Sequence, residues 1–123
     1  MEFNALDTAT KAEEGIEFEI MSPATGKGMG AFLTIKGADS KAYKKAHKEA
    51  MKRASDETTM EDVASEVAIS CATGWRGLTE GGVEMRFSED SLRRLFASSP
   101  TVRDQAIAVQ KSRARFLASG SAS

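Results

Sequence analysis

The stretch from Thr73 to Ser99, TGWRGLTEGGVEMRFSEDSLRRLFASS, constrains this chain most, because its only tryptophan stands among glycines between two helix-patterned segments. A large aromatic flanked by Gly74 and Gly77 is costly to leave in a mobile loop, so Trp75 is expected to pin an ordered connection between helices. Gly74 is placed to end the preceding helix in a left-handed conformation. Gly74-Trp75-Arg76-Gly77 then reads either as a packed corner or as a cation beside an aromatic face that suits partner recognition.

On either side of this stretch the periodicity changes twice. Ile16, Phe18 and Ile20 alternate with Glu17, Glu19 and Met21, and Met29 to Ile35 is rich in strand formers. The turn residues SPATGKG lie between them, so the two runs predict a β-hairpin whose apolar face rests on helices. Beyond it the period becomes helical. Asp39 or Ser40 caps a helix to about Arg53, with Tyr43, Ala46, Ala50 and Ala54 on one side and lysines on the other. Thr58 and Glu61 have capping-box spacing before a stripe of Met60, Val63, Ala64, Val67, Ala68 and Cys71. Gly81-Gly82 marks a reversal into a short extended piece, Val83 to Phe87. Ser88 caps a helix with Leu92, Leu95 and Phe96 on its apolar face, and Pro100 opens a last helix whose stripe runs from Val102 to Leu117. The expected class is α+β, mostly α-helical with about four helices and an N-terminal β-hairpin. Residues 1–15 read as a flexible arm, 16–118 as one domain and 119–123 as a flexible tail.

At 123 residues the chain suffices for one modest core. Its formal charge of −1 argues against a generic polyanion binder. No apolar run approaches the roughly 20 residues that span a bilayer, and the polar, acidic N-terminus is unlike a signal peptide, which sets the expectation of a cytoplasmic protein with no membrane partner. The charge is nevertheless patterned. Residues 1–35 carry −4, 36–53 carry +5, 54–90 carry −7 and 91–123 carry +5. These blocks either neutralise one another within one copy or join copies head to tail into a homo-oligomer.

Catalytic parts are few. His47 is the only histidine and sits in the lysine-rich helix, while one histidine and one cysteine make no zinc set and the acids have no calcium-loop spacing. Thr25 to Gly30 resembles a phosphate loop only superficially, since it leads into a strand rather than a helix. No catalytic, cofactor or metal residue is therefore expected. The basic helix, with Lys41, Lys44, Lys45, Lys48, Lys52 and Arg53, raises nucleic acid as a partner. Against it stand the absence of aromatic interleaving and the acidic segment that follows at once.

The order of these signals, a hairpin with a Pro-x-Thr-Gly turn, Gly-x-Asp-Ser, a helix containing Tyr43, a core helix, Gly74-Trp75-Arg76-Gly77-Leu78, Phe87-Ser88 and Pro100-Thr101-Val102-Arg103, resembles the small tail assembly chaperones of long-tailed, lambda-like bacteriophages. The resemblance covers about Ile16 to Leu117. It implies a non-catalytic protein of the infected cell's cytoplasm that binds the tape measure protein, keeps it soluble, helps recruit tail tube protein and leaves before the virion is complete. Members are commonly made in two forms by a ribosomal frameshift near the end of the reading frame, but the Gly-Lys pair that marks the slippery site in some is missing near this C-terminus. The residues assigned to partner binding are Lys41, Lys44, Lys45, Lys48, Lys52, Arg53, Trp75, Arg76, Arg113 and Arg115, with the alanine face of Ala42, Ala46 and Ala50 available for close approach to a helical client. Two other readings stay open: a structural head-tail or tail adaptor of the virion, and a nucleic-acid-binding regulator.

Overall fold

A computed structural model describes residues 2–121, with side chains through Leu117. Its first layer is an antiparallel sheet in the order β1-β2-β3, made of Ile16–Met21, Gly28–Ile35 and Ala72–Arg76. Alternation decides its faces. Ile16, Phe18 and Ile20 of β1 and Ala31, Leu33 and Ile35 of β2 are buried together, while Glu17, Phe32, Thr34 and Arg76 share the opposite side through the register Glu17↔Thr34 and Phe32↔Arg76. The apolar face is covered by helices.

Among the described residues there are six α-helices: α1 (Thr8–Glu14), α2 (Lys41–Arg53), α3 (Met60–Cys71), α4 (Glu89–Ser98), α5 (Pro100–Lys111) and α6 (Arg113–Ser121). A 3-10 turn at Phe3–Leu6 precedes them, and a separate hairpin pairs β4 (Thr79–Glu80) with β5 (Val83–Glu84). α5 packs on β1 and β2, and α3 packs against α2, α4 and α5. The class is α+β, but the expectation of about four helices and one hairpin is corrected to six helices and five strands among the described residues.

Each addition has a local cause. The segment read as an arm folds because Asp7 caps α1, accepting from the Thr10 amide at 3.0 Å, and Ala12 enters the core. The single last helix is broken at Ser112, whose backbone (φ −87°, ψ 90°) redirects the chain so that Phe116 becomes buried. α6 carries backbone through Ser121, so three residues of the expected tail are helical, and 122–123 lie outside the described residues.

The third strand replaces the expected glycine turn. Helix α3 ends at Cys71 with Ala72 already extended, and Gly74 pairs with Thr34 inside β3 instead of capping the helix. The turn comes later, at Gly77, where φ is +81° and a Cβ would collide with the Gly30 carbonyl oxygen. The capping box of α3 is also displaced by one residue. Thr59 and Asp62 form it, because the Thr58 hydroxyl is engaged by the Ser55 amide at 3.0 Å. Met60 then points outward at 68% exposure, and Ile69 joins the buried stripe in its place.

Candidate partner-binding surface

Helix α2 begins where Ser40 caps it. The fully buried Ser40 hydroxyl accepts from the Tyr43 amide at 3.0 Å and donates to the Gly37 carbonyl at 2.7 Å, fixing the entry of the helix. The Glu13 carboxylate accepts from the Lys41 amide and adds negative charge at the same positive helix end. Orientation follows from the apolar positions. Ala46 is buried, and Ala42, Tyr43 and Ala50 pack against the core. The alanine face expected to meet a client is thus used internally, in the contact with α3.

The opposite face is the candidate surface. Lys41, Lys44, Lys45, Lys48, Lys52 and Arg53 are all exposed, and none forms an ion pair among the described residues. Glu49 is the only acid on the helix. Beside its C-terminal half lies a hollow of about 240 Å³, floored by Ala50 and Val63 and edged by Arg53, Asp62 and Glu66. A cationic helix can hold a helix that presents carboxylates, and the hollow beside it offers Ala50 and Val63 between the Arg53 cation and the carboxylates of Asp62 and Glu66.

The other four expected contact residues lie elsewhere. Arg76 Nε and one terminal nitrogen donate to both Glu17 oxygens at 3.0 and 2.8 Å, and its guanidinium carbon sits 3.9 Å from the Phe32 ring centroid. This fork holds the Glu17 carboxyl below the usual carboxylate range. Arg113 makes the same kind of fork with Asp39, two bonds of 2.8 Å, and with the Thr8 hydroxyl it pulls the Asp39 pKa down to about 2. Arg115 lines a groove between β1 and α5 together with Phe18 and Gln105. Trp75 is half-buried, donating its indole N–H to the Met85 carbonyl at 2.8 Å and meeting Phe87 edge to face at 5.1 Å. Trp75, Arg76 and Arg113 thus make contacts within the chain, while the Arg115 side chain is exposed at the rim of its groove.

The charge blocks resolve in the same way. Arg93 bonds Glu66 at 2.6 Å, Arg94 bonds Glu80 at 2.7 Å, and Arg103 pairs with Glu61, so the basic C-terminal block meets the acidic central block within one copy. Among the described residues the basic partner in each close ion pair is an arginine. Clustered lysines were legible in the sequence; that the close ion pairs among the described residues would go to arginines elsewhere, and none to these lysines, was not.

Reactive chemistry is sparse here. His47 is half-buried and stacked at 6.2 Å on Tyr43. Cys71 is buried, and burial pushes its thiol pKa up. Among the described residues no group of three or more His, Cys, Asp or Glu side chains is arranged to hold a metal, and no helix is long and apolar enough to cross a membrane. No protein-family model matches the chain, and no curated protein or solved structure matches it either.

Proposed function

We propose that this chain is a non-catalytic tail assembly chaperone of the kind found in long-tailed bacteriophages, acting in the host cytoplasm on the tape measure protein and then on tail tube protein. The order of motifs from Ile16 to Leu117 supports the family. One observation carries the mode of binding: the six cations of α2 form no close ion pair among the described residues, where the close pairs are formed by arginines elsewhere. A long helical client with an acidic stripe gains charge-assisted contacts along this face, and its apolar side chains enter the hollow beside Ala50. Such contacts exchange readily, which suits a factor that leaves the finished tail.

The experiment is co-expression of tape measure protein with the chain or with its K44E/K45E/K48E/K52E variant. The wild-type chain keeps the client in the soluble fraction, and the variant does not. Equal solubility in both would remove α2 from the mechanism. Abundant chain in purified virions, measured by mass spectrometry, would favour the structural adaptor instead, and a salt-sensitive gel shift with nucleic acid would favour the regulator.

A further inference from the structure

Strand β1 is an edge of the main sheet, so alternate residues turn a backbone N–H and C=O away from β2. At Met21 a side chain meets that outward pair. The Gln105 amide of α5 accepts from the Met21 N–H at 2.8 Å and donates to the Met21 carbonyl at 2.9 Å, the two bonds that a facing residue of an antiparallel strand makes with its backbone. Among the described residues no other hydrogen bond from outside the sheet reaches the backbone of Ile16–Met21. The β1-β2 register shifts between Glu19 and Met21, at the end Gln105 occupies, and Ile16 to Glu19 pair regularly. Neither proline nor lysine guards this run, IEFE. Between the edge and α5 lies a groove of about 320 Å³, lined by the buried Phe18 and Val109. Gln105 closes it beside Met21, Ser112 stands roughly 10 Å further along α5, and Arg115 follows at the rim.

We propose that this groove is a peptide-docking site, in which an extended segment of a partner protein, with alternating apolar residues and a terminal carboxylate side chain, adds to the sheet beside Ile16–Glu19. Gln105 specifies the backbone of the occupant. A side-chain amide carries the donor and acceptor of a peptide group, so its two bonds to Met21 are the bonds a docked strand makes with this edge. The same amide takes Met21 and so sets where the added strand stops. Phe18 and Val109 specify the inward side chains as apolar. Arg115 specifies the charge: it is exposed and forms no ion pair among the described residues, whereas the Glu19 carboxylate in the groove wall is held by the Gly30 amide at 2.9 Å. Main-chain hydrogen bonds carry this contact, so it is independent of the α2 lysines and of a helical client.

The test titrates the nitrogen-15-labelled full-length chain with a blocked synthetic peptide, Thr-Val repeated three times and then Glu, and follows amide shifts and hydrogen exchange. Shifts concentrate on Ile16–Glu19 and on α5 from Ala108 to Lys111, outward β1 amides exchange more slowly, and binding saturates below about 1 mM peptide. Two further peptides are methylated on the valine or on the threonine nitrogens. One of them binds at least tenfold more weakly than the parent and the other does not, because only alternate N–H groups of an added strand face β1. R115E, changed at an exposed position, keeps the wild-type melting temperature and binds the parent peptide several-fold more weakly. No shift in β1 up to about 1 mM peptide, shifts confined to α2, equal binding by all three peptides, or undiminished binding by R115E would each overturn the proposal.

Discussion

The indole N–H of Trp75 donates to the carbonyl oxygen of Met85 at 2.8 Å, tying an edge strand of the main sheet to the chain that follows the β4-β5 hairpin. The bond spans ten residues and closes a loop that turns at Gly77 and reverses again at Gly81 and Gly82, all three at positive φ. The Met85 amide in turn donates to the Leu78 carbonyl at 2.8 Å. Trp75 thereby fixes the approach of the Val83–Phe87 segment to α4.

Replacing Trp75 by Phe keeps a ring against Phe87 and removes the donor. The Met85 carbonyl is left part-buried without its partner, so W75F is expected to lose about 1 kcal/mol in urea denaturation. Amides 78–85 should exchange hydrogen faster while those of α3 are unchanged.

Two glycines separate steric causes. At Gly77 a Cβ meets the Gly30 backbone in a left-handed conformation, and neither can give way, so G77A is expected to cost about 2 kcal/mol or more. At Gly37 the backbone is unstrained and the added methyl meets the buried Phe116 ring; overpacking of that kind costs about 1–3 kcal/mol. The Gly37 loss should shrink in a G37A/F116L double variant, and the Gly77 loss should not change with F116L.

Asp39 titrates with a folded pKa depressed to about 2 from its ordinary 3.8. A depressed carboxylate contributes stability that is fully present above the unfolded value and disappears as pH falls through the folded one. Wild type should therefore lose stability between about pH 4 and pH 2 more steeply than D39N, and R113A should flatten the same limb. Equal slopes in thermal melts across that window would contradict the assignment.

Cys71 is 1% exposed, and burial raises its thiol pKa. Native protein should react with a thiol reagent at neutral pH at least tenfold more slowly than protein unfolded in guanidinium. The rate in the native state then reports opening of the core around α3.

How far the sequence reveals this fold depends on where each signal is local. The alternation of Ile16, Phe18 and Ile20 and the caps at Ser40 and Ser88 are local, and β1, β2, α2 and α4 follow from them. The glycines around Trp75 misled because a small residue serves a close-packed strand as well as a turn. Gly74 has an extended neighbour on each side, and only its pairing with Thr34, forty residues away, distinguishes the two. α1 was hidden for another reason: seven residues with one buried alanine have no helical stripe to detect. The break at Ser112 is invisible locally, since the groups that meet the chain around it, the Ala38 amide on the Gln110 carbonyl, Gly37 against Phe116 and Asp39 on Arg113, come from across the fold. For the binding surface, the lysines of α2 could be read directly. That Arg76 and Arg113 are occupied by Glu17 and Asp39 is long-range information that charge counting does not contain.

Affinity of the purified chain for tape measure protein, measured by isothermal titration calorimetry from low to high salt for wild type and K44E/K45E/K48E/K52E, tests the central claim most directly. Binding by wild type should weaken steadily with salt, and the variant should bind at least tenfold more weakly at low salt while keeping the wild-type melting temperature. Indistinguishable affinities for the two proteins at every salt concentration would contradict it.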